Sequence, residues 1–185
     1  MVATLSVGLL LLRLVTGLTV AVHGTQKLFG WFGGSGIDKL RQGFEKQGFQ
    51  PAWLWSSLVI LGEVGGGVSL ALGFLTPLGA AGVIGVMVMA MVKVHWKNGF
   101  IVSKGGFEYT LVLATIGIAI GLAGPGDYSL DALFGIAPTP ALLFIVLAVV
   151  ALIVDIAGLL LSRAILAASP GVAAGAAGQG VRPVQ

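Results

Sequence analysis

The sequence predicts an all-α polytopic membrane protein: a four-helix bundle followed by a fifth, C-terminal transmembrane helix. Composition is the first observation behind this. Of 185 residues, 57% are hydrophobic and only 9% are charged, with a mean hydropathy of +1.04, too little charge to cover the surface of a soluble domain. The second is the arrangement of apolar residues in five long runs, most of them near the length that crosses a bilayer core. The third is the clustering of Lys and Arg in alternate connections.

The first run extends from about Leu5 to about Gly24 with Arg13 inside it. Met1–Leu12 has no basic residue and no small-residue cleavage pattern follows, so it reads as a retained span and not as a signal peptide. The second run is Trp53–Leu75, whose only charge is Glu63. Thr76-Pro77 separates it from the third, Leu78–Val94. One helix over both would be about twice the height of a bilayer core, so the Thr-Pro step is a tight hairpin. The fourth run, Phe107–Ala123, is closed by Gly124-Pro125-Gly126. The fifth, Pro140–Leu161, is opened by a proline near its first turn. These give three units: a bundle over 1–135, a further transmembrane helix over 138–164, and a disordered Ala/Gly/Pro-rich tail over 165–185.

Between the first two spans, Ile37, Leu40 and Phe44 recur at helical spacing with charged residues between them. This predicts an amphipathic helix over 35–48 on the cytoplasmic surface, opened by a Ser35–Asp38 capping box. Lys27, Lys39, Arg41, Lys46, Lys93, Lys97, Lys104, Arg163 and Arg182 all fall on one side of a five-span topology. That side is cytoplasmic by the positive-inside rule, with the N-terminus outside and the C-terminus inside. The four tryptophans lie near the same boundary, as an interfacial belt would.

An ionisable group inside a span needs a partner. Depth arithmetic brings Arg13 and Glu63 to similar levels and predicts a buried Arg13–Glu63 ion pair. Arg13, Gly17, Val20, Gly24 and Lys27 share one helical face, and glycine ridges flank Glu63, so close helix packing is expected. A second polar cluster at the cytoplasmic boundary contains His23, Lys27, His95 and Glu108. Glu108, opening the fourth span, also suits the positive end of the helix dipole. Asp155 is expected to pair with Arg163 or Lys27. His23 and His95 are the minimum for axial ligation of a b-type haem, but an unrepeated pair makes that the weaker reading. The absence of cysteine excludes thiol relays and thiolate metal sites. No nucleotide loop or metal-protease motif is present, and the basic loops read as topology signals, not as nucleic-acid sites.

Several segments in order resemble the DoxX family of bacterial membrane proteins. They are Arg13-Leu-Val-x-Gly17, His23-Gly24-x-x-Lys27-Leu28-Phe29-Gly30, Gly62-Glu63 with Gly66-Gly67, and Leu72-Gly73-Phe74-Leu75-Thr76-Pro77. They continue with His95-Trp96-x-Asn98-Gly99-Phe100, Glu108, and Gly124-Pro125-Gly126-x-Tyr128-Ser129-Leu130-Asp131. The resemblance covers about Val7–Phe134 and implies a four-helix bundle in a bacterial inner (plasma) membrane; the fifth span is a departure from it. Related proteins form part of thiosulfate:quinone oxidoreductases, and others are linked to membrane oxidoreductase complexes resisting thiol and oxidative stress. The resemblance therefore implies a non-autonomous subunit or docking partner of an oxidoreductase, with a quinone as the cofactor to consider and a soluble oxidoreductase or a second copy as partners besides the lipid bilayer. A small proton-coupled transporter and a purely structural membrane protein are the alternatives.

Overall fold

A computed structural model of the chain describes residues 2–136 and 141–168. It is helical, with no strand among these residues. Helix α1 (Val2–Phe29) leads into α2 (Gly36–Lys46). A continuous rod follows, made of α3 (Ala52–Ile60), a π-helical turn at Leu61–Gly65 and α4 (Gly66–Leu72). Then come α5 (Thr76–Ala90) with a second π-helical turn at Met91–His95, α6 (Glu108–Ala123), the single turn α7 (Leu130–Leu133) and α8 (Ala141–Ala168). Four of these units are long and apolar enough to cross a membrane: Thr4–Phe29, Ala52–Leu72, Thr76–Asn98 and Ala141–Ala168. The fourth apolar run is shorter: α6 has 16 residues, about 24 Å.

The core is centred on α5, which packs against α4, α6 and α8 and buries residues all round. A helix apolar on every side belongs in such a position. Val20 of α1 joins Leu70, Val83, Ile84, Leu113, Ile120 and Phe144 of these helices in one continuous apolar cluster. Helix α1 packs on α4 through glycine: a Cβ on Gly17 would lie 2.5 Å from the carbonyl oxygen of Gly67, and a Cβ on Gly67 2.6 Å from that of Gly17. The two backbones touch, which is how small residues hold helices together where lipid removes the hydrophobic drive.

The hairpin at Thr76 forms as the Thr-Pro step predicts, with Pro77 in the first turn of α5 and Gly73 in the left-handed region (φ 63°) closing α4. Helix α8 lies along α5 and α6 with most of its surface outward. Its inward face is small or flat where it meets neighbours: Phe144 fills the space over Gly121, Ala151 faces Gly85, and Gly158 rests on the Trp55 ring.

Three expectations need correction. Ser35 makes no side-chain cap bond at the start of α2, because its own backbone is already helical (φ −87°, ψ −19°) where a cap residue is extended. Trp55 is not a belt residue; it is buried against Phe49 and Gly158, whereas Trp31, Trp53 and Trp96 are exposed. Helix α8 runs to Ala168, four residues into the stretch assigned to a disordered tail, because Ile165–Ala168 continue its apolar pattern; the rest of that tail lies outside the described residues.

Candidate functional site

The antiparallel packing of α1 on the α3–α4 rod fixes which polar groups meet. Gly24 lies against Glu63 and Val64, Gly17 against Gly67 and Ala71, and Arg13 against Gly73. Moving ten residues along the rod from Glu63 thus leads to Arg13, about 15 Å away along the axis. The expected Arg13–Glu63 ion pair does not form. Glu63 pairs instead with Lys27, one helical turn beyond Gly24 on the same face of α1. The glycine at 24 lets α1 approach closely enough for that reach.

Glu63 is 1% exposed and sits in the π-helical turn Leu61–Gly65. Such turns are rare and recur at functional sites because the extra residue re-aims a side chain. One carboxylate oxygen receives the Lys27 ammonium; Oε2 has no hydrogen-bond donor. His23 is near enough to act on this carboxylate electrostatically. Its Nδ1 is 3.1 Å from Gln26 Oε1, and its ring meets Tyr109 of α6 edge-on at 6.0 Å. Glu63, Lys27, His23 and Tyr109 therefore form one polar group reaching from the bundle interior to the end of α1.

His95 and Glu108 do not join it. His95 closes the second π-helical turn, with Nδ1 2.7 Å from the carbonyl oxygen of Gly105, which also accepts from Asn98 Nδ2 at 3.1 Å. Glu108 accepts from the backbone N–H of Val102 at 3.0 Å, so its carboxylate ties down the 99–108 loop. The boundary cluster of the sequence reading divides into a pair at the Glu63 site and a pair that shapes a loop.

Arg13 belongs to a different centre at the other end. It is fully buried, donates through Nη2 to the carbonyl of Tyr128, and lies over Gly73, where a Cβ would collide with its guanidinium. Beside it, Asp131 accepts from the backbone N–H groups of Leu75 (2.8 Å) and Thr76 (3.0 Å) and from the Thr76 hydroxyl (2.8 Å). An acid from the segment after α6 thus caps the N-terminus of α5, where the helix dipole favours negative charge. Ser6 donates to Asp127 at 2.7 Å and anchors the same segment to α1. Asp131, Tyr128 and Tyr109 carry no role in the sequence reading. The signal for Asp131 was an acid in a connection on the same side as an otherwise uncapped Thr-Pro helix start.

Asp155 pairs with neither Arg163 nor Lys27. Lys27 is held by Glu63, and Oδ2 of Asp155 is buried without a hydrogen-bond donor. It lines a cavity of about 580 Å³ between the α3–α4 rod, α5 and α8.

The DoxX family model matches residues 8–96, which run from within α1 through α5 and include the Lys27–Glu63 pair. No curated protein matches the chain, and no solved structure does.

Proposed function

Given a DoxX domain over residues 8–96 in a multi-pass helical membrane protein, we propose that this chain is the membrane subunit of an oxidoreductase, to which a soluble redox protein docks. The observation that carries this reading is the placement of α2. It follows the end of α1 that holds Lys27, and packs on α1 and α3 through half-buried Ile37, Leu40 and Phe44. Its other face presents Asp38, Lys39, Arg41, Glu45 and Lys46 to solvent. A charged, exposed helix beside a buried acid–amine pair suits recruitment of a protein to a polar site at the membrane boundary.

With no cysteine in the chain, electrons would pass through the partner or a bound group. Where a quinone accepts them, the Lys27 ammonium would hold a carbonyl oxygen and stabilise the charge that develops on reduction. The basic connections support a cytoplasmic side for α2 and an outside N-terminus, in the bacterial plasma membrane that the family resemblance implies. Affinity isolation in mild detergent tests the reading. Co-purification of an oxidoreductase, reduced by charge reversal at Lys39 and Arg41, is the expected result. Recovery of the chain with neither an oxidoreductase nor a quinone overturns it.

A proton-coupled carrier is the second reading, favoured by an ionisable pair inside the bundle with His23 beside it. Substrate-dependent proton flux into proteoliposomes, lost in Glu63→Gln, would establish it.

A further inference from the structure

The cavity beside α8 is separate from the Glu63 site. Its walls are apolar side chains and bare glycine backbone from three directions: Gly62, Gly65 and Gly66 on the rod, Gly79, Gly82 and Gly85 on α5, and Ala151 on α8. Among the residues lining it, Asp155 is the single ionisable group. Asp155 lies near the middle of the 28-residue α8, about 20 Å from either end. It faces Gly85, on which a Cβ would stand 3.9 Å from Oδ2. A carboxyl group at this depth, with Oδ2 lacking a donor, requires one from whatever fills the space. No side chain of the wall donates to it: the Trp55 ring lies against Gly158 and makes no hydrogen bond to Oδ2. The Ser69 hydroxyl already donates to the carbonyl of Phe74.

We propose that this cavity binds a lipophilic amine, its ammonium group on Asp155 and its apolar body along the glycine-lined wall. Two features select this class. The volume, about 580 Å³, is that of a drug-sized apolar molecule. An ionised Asp155 selects against a plain acyl chain, which leaves the carboxylate unanswered, and against a quinone carbonyl, which only the protonated acid could hold. A cationic head on an apolar body satisfies both the wall and the acid.

The test is equilibrium binding of radiolabelled dodecylamine and dodecanol to the full chain in phosphatidylcholine nanodiscs, with empty nanodiscs subtracted. Three proteins are compared. Asp155→Asn removes the charge at nearly constant volume. Gly65→Leu fills the cavity from a lining position where a Cβ meets nothing within 4 Å, so it adds bulk without a backbone collision. Thermal unfolding of both variants confirms the fold. The expected result is dodecylamine bound about tenfold or more tighter than dodecanol by the unsubstituted protein, equal binding in Asp155→Asn, and neither bound by Gly65→Leu. Equal affinity for amine and alcohol, lost together in Gly65→Leu, would make the cavity an acyl-chain slot and overturn the proposal. Retention of neither ligand by a chain that elutes as a dimer would make a second copy the occupant, and would overturn it equally.

Discussion

Lys27 and Glu63 form an ion pair of unequal partners: the carboxylate side chain is 2% exposed, while the lysine side chain is 33% exposed. The acid is committed to the interior and the amine reaches it from the boundary. Removing the amine strands a buried charge. Lys27→Met is expected to destabilise the bundle by about 3 kcal/mol, and Lys27→Met with Glu63→Leu to recover most of that. In a double-mutant cycle read by unfolding in mixed micelles, the 27–63 coupling should exceed about 1 kcal/mol, and the 13–63 coupling should stay below about 0.5 kcal/mol.

Asp131 caps a helix to which it is not joined in sequence. Asp131→Ala removes the acceptor for two backbone N–H groups and one hydroxyl. A loss of about 2–4 kcal/mol is expected from charged hydrogen bonds of this number. Asp131→Asn should retain part of it, since one amide oxygen still accepts. Hydrogen exchange should rise first at Leu75 and Thr76, and thermal unfolding of the two variants gives the ranking.

The α1–α4 contact leaves no room for a side chain. Gly17→Ala and Gly67→Ala should each cost about 1–3 kcal/mol by overpacking, with backbone atoms as the obstacle. Gly8→Ala, with nothing within 4 Å of its Cβ, should be neutral or slightly stabilising. Melting temperatures in one detergent separate the two classes.

Because the chain has no cysteine, single introduced thiols report orientation without background. Lys39→Cys on α2 should react with an impermeant maleimide only after the membrane is opened. Leu133→Cys, at a 73% exposed position at the end of α7, should react in intact cells. The reverse pattern would invert the topology.

The helices were legible because each is an apolar run bounded by Gly, Pro or a basic loop, and the Thr76-Pro77 hairpin was legible because a single helix there could not fit a bilayer. The partner of Glu63 was not, for a geometric reason. Depth arithmetic treats every span as starting at the same level. Helix α1 begins at Val2 and extends three turns beyond Gly73, where the α3–α4 rod ends, so Arg13 meets the hairpin and not the middle of the rod. The information was present in the shared face of Arg13, Gly17, Gly24 and Lys27. It needed the register of α1 on α4, which two glycines fix by contact and no count along the chain supplies. Asp131 was hidden for a related reason: a cap supplied across more than fifty residues has no local spacing.

The shortness of α6 sets how the protein meets its surrounding lipid. On that flank about 24 Å of helix is followed by a polar segment folded inward onto Ser6, Arg13 and Thr76. On the α8 flank 28 apolar-rich residues rise about 42 Å. The hydrophobic belt is therefore lower on one side than on the other. Lipid beside α6 must thin while lipid beside α8 stretches or the helix tilts, each at a fraction of a kcal/mol per Å.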